Sequence, residues 1–129
     1  VIPEGVTSIG ENAFAGCENL NSISIPSTLT SISESAFSNC TSLTNITIAD
    51  GVTSIGTDAF SDCSSLISIT IPDSVEYIGS RAFSGCKGLS FNYSGTKEQW
   101  NKLSLDYYWK TGSDIPAKVV HCSDGDIKR

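Results

Sequence analysis

Methionine is absent from the 129 residues, and histidine occurs once. Without methionine Val1 is not a translation start, so the chain reads as a piece, or a processed form, of something longer. A lone histidine leaves no second imidazole for a triad, and no Cys-x-x-Cys is present, so zinc lacks a ligand set. No apolar run approaches the roughly 18–20 residues that cross a bilayer. Lysine and arginine are missing from residues 1–80, which carry nine acids, while residues 81–129 hold all eight basic side chains and five acids. The two parts are therefore −9 and +3, summing to the net charge of −6. An acidic first part is repelled by phosphate, which makes nucleic acid and anionic membrane poor partners. Charged residues are only 17% of the chain, whereas 22 serines and 11 threonines fill 33 positions. The surface is polar through hydroxyls more than through charge.

What is present is a repeat of 23 residues without drift. Ala-Phe recurs at Ala13-Phe14, Ala36-Phe37, Ala59-Phe60 and Ala82-Phe83, followed by Cys17, Cys40, Cys63, Cys86 and then Leu20, Leu43, Leu66, Leu89. Ile9, Ile32, Ile55 and Ile78 keep the same beat, as do Val6, Leu29, Val52 and Val75. Each unit has too few apolar residues to bury alone, so the copies must stack into one continuous core. Leu66-Ile-Ser-Ile69-Thr-Ile71-Pro72 reads as a strand with Ile69 and Ile71 inward and Ser68 and Thr70 outward. Val52-Thr-Ser-Ile55-Gly56 reads as a second, shorter extended piece, and Asp58–Cys63 as a helical turn. The period and the Leu-x-x-Ile-x-Ile strand predict a right-handed leucine-rich repeat solenoid of short parallel strands. Rungs are expected at about 1–24, 25–47, 48–70 and 71–94, with a capping segment over 95–129.

The unit Ile-Pro-x-x-Val-x-x-Ile-Gly-x-x-Ala-Phe-x-x-Cys-x-x-Leu, best seen at residues 71–89, resembles the BspA-type leucine-rich repeats. The asparagine that usually follows the second strand leucine is missing, which separates the chain from receptor-like subfamilies. The tail, with its Gly-Thr-x-x-x-Trp and His-Cys-x-Asp-Gly elements, is similar to the C-terminal cap of such arrays. Thr96-x-x-Gln99 is a capping box that predicts a short helix near 97–103, with Trp100 and Leu103 inward and Trp100 as a lid over the last rung. Val119–Cys122 reads as a strand and Ser123–Asp126 as a tight turn. Asn92 falls where a fourth inward isoleucine belongs, so Phe91 is expected to take that pocket, with a one-residue slip where array meets cap.

Candidate chemistry is sparse. Equivalent cysteines on stacked rungs run parallel instead of converging, so Cys17, Cys40, Cys63 and Cys86 read as buried small hydrophobes. His121 and Cys122 are adjacent on a strand and face opposite ways, which excludes a thiol–imidazole pair. Asp124 and Asp126 fall short of the six to eight oxygens that calcium takes. The phenylalanines read as a stacked spine, and one of Tyr107, Tyr108 and Trp109 is expected to be exposed. Asn39, Asn45 and Asn92 head Asn-x-Ser/Thr sequons, about as many as this composition gives by chance. No catalytic residue, metal or cofactor is assigned.

The candidate binding residues are the outward strand positions: Ser22, Asn45 and Ser68 in one row, and Ser24, Thr47, Thr70 and Tyr93 in the next. They make a nearly uncharged ribbon on the expected concave side, with Asp50 and Asp73 at one margin. The resemblance implies a secreted or cell-surface bacterial protein that binds host proteins or other cells, a non-enzymatic adhesion module. A spacer displaying another domain, or lattice and polysaccharide binding by the ribbon, are the other readings. Val1-Ile2-Pro3 begins in mid-strand, so the first rung is expected to be open and to self-associate.

Overall fold

A computed structural model of the chain describes residues 2–105 and 119–128. Tyr107, Tyr108 and Trp109 lie outside the described residues. Each rung crosses two sheets and returns through a run of turns. The larger sheet takes β2 (Asn45–Thr47), β4 (Ser68–Ile71), β6 (Ser90–Tyr93), β8 (Val119–Cys122) and β9 (Gly125–Lys128). The smaller takes β1 (Ser31–Ile32), β3 (Ser54–Ile55), β5 (Tyr77–Ile78) and β7 (Ser104–Leu105). All pairings are parallel except the terminal β8–β9 hairpin. These are the short leucine-rich-repeat rungs that the period demands, since a parallel partner 23 residues away is supplied only by the next copy.

The third side of each rung corrects the sequence reading. The helical turn expected over Asp58–Cys63 is a chain of tight turns, in which Asp58 and Asp62 both adopt φ of 58°. A helix would keep its N–H groups for its own carbonyls. Here alternate N–H groups leave the segment: Asp58, Phe60 and Asp62 donate to Ser80, Ala82 and Ser84 of the next rung at 3.1, 2.8 and 2.6 Å. The others close turns, as Ala59 to Gly56 and Cys63 to Phe60. The left-handed positions recur as Asn12, Ser35, Asp58, Arg81 and as Gly16, Asn39, Asp62, Gly85. Asparagine, aspartate and glycine tolerate that conformation best, so the signal was present in residue type.

Between the sheets and the turns lies one core. Phe14, Phe37, Phe60 and Phe83 stack with centroids 5.2, 5.3 and 5.5 Å apart and planes within 4°. The Ile-Gly step beside them has a steric reason: a Cβ on Gly79 would come within 2.6 Å of the Thr57 backbone nitrogen. Serine and threonine hydroxyls link rungs as well. Thr28 accepts from the Gly5 N–H at 3.1 Å and donates to the Val6 carbonyl at 2.7 Å, and Ser74 does the same for Gly51 and Val52.

At residue 90 the register shortens, as Asn92 and Phe91 foretold. Ser68 pairs with Ser90 and Ile69 with Phe91, a step of 22. Phe91 sets its edge against Phe83 at 5.0 Å and 78°, and Trp100 covers it at 5.8 Å. Trp100 comes from the helix α1 (Lys97–Lys102), capped by Thr96 with the reciprocal Gln99 bond. The segment after residue 94 adds β7 to one sheet and β8 to the other, so both ladders run on past the repeats. The first rung, by contrast, leaves Ile2, Phe14, Leu20 and Ile23 only partly buried.

Phe60→Ala removes a ring stacked on both faces and is expected to cost about 3–5 kcal/mol. Phe14→Ala, stacked on one face and partly exposed, should cost distinctly less. Urea midpoints of the two variants check the order, and equal losses would mean that the spine does not carry the array.

Candidate ligand-binding ribbon

The outward side chains of the larger sheet form a row that crosses every described strand of that sheet. Ser24 bridges Thr47, Thr47 pairs with Thr70, Thr70 with Asn92, Asn92 with His121, and His121 with Asp126. Six positions at the ordinary strand spacing span about 24 Å. A second row runs Asn45, Ser68, Ser90 beside it, with Ser22 exposed at its start. Ser22, Ser24, Asn45 and Thr47 are exposed, while Ser68 and Thr70 are half-buried.

Tyr93 does not belong to the ribbon. It pairs with Ile71, is 5% exposed, and sets its ring against Trp100 at 5.2 Å. The one-residue slip moves every later side chain to the opposite face, so Asn92 takes the outward place and Tyr93 turns inward. Carrying the slip through would have placed Asn92 correctly. His121 and Asp126 had no such signal, because their place in the row follows from β8 joining β6 across an irregular connection.

The ribbon is held by its own polar contacts. Asn92 Nδ2 donates to Ser68 Oγ at 3.1 Å, and His121 Nδ1 lies 2.8 Å from Asp126 Oδ1. Apart from that last pair its surface is neutral, and the Asp50 and Asp73 side chains stand exposed outside the rows. Asp124 is occupied differently: Oδ1 accepts the Lys97 N–H at 2.9 Å and ties the hairpin to α1.

The cysteines do structural work. All five are free thiols; Cys40, Cys63 and Cys86 are wholly buried, whereas Cys17, expected to be buried with them, is only partly so, being packed by a neighbouring rung on one side alone. Their Sγ atoms donate to the carbonyls of Phe14, Phe37 and Phe60 in the preceding rung at 3.1–3.2 Å, a partner the sequence did not disclose. Burial, reinforced by the neighbouring Cys63, pushes the Cys40 thiol up to about 11. Contact with the Cys86 thiol and burial raise Cys63 further. Thiols held neutral in this way are poor nucleophiles. His121 is exposed and engaged by Asp126, and no group of three metal-ligating side chains occurs among the described residues. No helix among them is long and apolar enough to cross a membrane.

A BspA type leucine rich repeat region, in six copies, matches residues 1–108. The chain belongs to the BspA-type leucine-rich repeat family. Among solved structures, a leucine rich cell surface protein of Faecalibacterium prausnitzii is similar at 45% identity and a TM-score of 0.76, over 78% of this chain and 27% of that one. A leucine rich repeat protein of T. pallidum aligns at 30% identity and TM-score 0.75, over 89% and 51%. One from Bacteroides ovatus aligns at 29% and 0.67, over 81% and 32%. The chain thus spans between about a quarter and a half of these relatives. No curated protein matches it.

A raised folded-state thiol pKa stabilises only while the thiol is neutral in both states. Stability from Cys40 is therefore fully present below pH 9 and is lost as pH rises toward 11. A thiol-reactive disulfide reagent at pH 8 should label Cys17 and Cys122, which are partly exposed, and reach Cys40, Cys63 and Cys86 only on unfolding. Rapid labelling of all five in the native chain would contradict the buried ladder.

Proposed function

We propose that the chain is a non-enzymatic protein-binding module of a secreted or cell-surface bacterial protein, with the ligand lying across the outward face of the larger sheet. The observation that carries the reading is the unbroken row from Ser24 to Asp126, a long, regular and mostly neutral face. Solenoids use such faces for extended recognition, where many modest contacts add up. The Faecalibacterium relative is a leucine rich cell surface protein, which supports the location. Among protein ligands, those of a host or a neighbouring cell fit that location. The revised contact set is Ser22, Ser24, Asn45, Thr47, Ser68 and Thr70, joined by Ser90, Asn92 and His121.

Ser68→Arg with Thr70→Arg places two long charged side chains on the ribbon and, because it also removes the Asn92–Ser68 hydrogen bond, should cost about 1–2 kcal/mol, leaving the array folded. Binding of the 129-residue chain to a panel of purified extracellular-matrix proteins, measured by surface plasmon resonance, is expected to saturate at micromolar concentration and to vanish in the double variant. Equal binding by both chains would move the site off the ribbon. No binding by either would favour a spacer.

A further inference from the structure

Beyond the ribbon, the fourth rung and α1 enclose an open cleft of about 220 Å³. Its floor is apolar: Val75, Tyr93 and Leu103 are 3%, 5% and 8% exposed. Its exposed rim is Asp73, Glu76, Gln99 and Lys102. Tyr93, turned away from the ribbon by the register slip, is what shapes this floor. Each wall is fixed through its backbone. The Asp73 N–H donates to Ser94 Oγ at 2.8 Å, Glu76 to the Thr53 carbonyl at 2.7 Å, and Leu103 to the Trp100 carbonyl at 3.1 Å.

The rim charges are not balanced. Lys102 Nζ lies 3.0 Å from Glu98 on its own helix, and Arg81 lies 3.0 Å from Asp58. Asp73 and Glu76 have no ion pair among the described residues. Burial, and then the Asp73 charge, raise the Tyr93 phenol, which places that carboxylate within electrostatic reach of the cleft floor. The volume falls below the roughly 300–1,000 Å³ of small-molecule pockets and suits a single side chain. An apolar floor under two carboxylates that lack an ion pair among the described residues fits a long methylene stem that ends in a compact cation.

We propose that this cleft receives one lysine side chain of a protein partner, its stem on Val75, Tyr93 and Leu103 and its ammonium at the Asp73 and Glu76 carboxylates. The site goes beyond the ribbon, since none of the revised contact residues lines it. It therefore stands or falls separately.

The test is an amide NMR titration of the full 129-residue chain with Nα-acetyl-lysine methylamide, with the norleucine counterpart as the uncharged control. The lysine probe is expected to shift the Val75, Glu76 and Leu103 amides saturably at about 10 mM, a strength ordinary for one side chain. Asp73→Asn with Glu76→Gln should weaken it by at least about tenfold. Glu18→Gln with Asp50→Asn removes the same charge at exposed positions elsewhere and should leave it unchanged. Matching spectra of the three chains away from the cleft establish that the fold is kept. An equal response to norleucine, silence at the three amides, or equal loss in the control variant would each overturn the proposal.

Discussion

Every rung of this array completes its hydrogen bonding on a neighbour. The sheets and the turns alike send N–H groups to carbonyls one repeat away, as Phe37 to Ala59 and Phe60 to Ala82 at 2.8 Å. A buried amide without a partner is costly, so no rung is stable by itself and none can differ much in length. That one constraint explains the invariant spacing and the stacked rings. It also explains the small or turn-forming residues wherever adjacent backbones approach or reverse. The core follows from the ladder, because equivalent side chains one rung apart are forced into contact.

Past residue 94 the sequence leaves the 23-residue spacing, and the same constraint still has to be met there. Phe91, larger than the isoleucine it replaces, fills the space where another spine ring would lie, and Trp100 covers Phe91. The two ladders still need partners. β7 and β8 supply them without obeying the repeat, and β9 turns back to close the larger sheet as a hairpin. The segment past residue 94 thus lays an apolar lid on Phe91 and continues the hydrogen bonding of both sheets.

The scaffold leaves two distinct features on its surface. The ribbon inherits its regularity from the ladder, one outward side chain per strand at fixed spacing. The cleft arises where the regularity ends, because the slip at residue 90 and the arrival of α1 create a concavity that the uniform rungs lack.

The repeat, the strands, the phenylalanine spine, the buried thiols and the capped helix were legible in residue order alone. Each depends on spacing, and a 23-residue beat places equivalent residues together whatever the details. The turn segment was misread because a short Asp-Ala-Phe-Ser pattern satisfies helical periodicity; only the competition between local and inter-rung acceptors decides against a helix. Tyr93 was misplaced because its orientation depends on which residue pairs with Ile71, a fact of register and not of composition. His121 and Asp126 entered the ribbon, and Leu103 met Val75 across the cleft, through contacts between segments far apart in the chain. Periodicity fixes neighbours one repeat away, but the irregular end of the array has no period, so its surfaces were decided by tertiary packing.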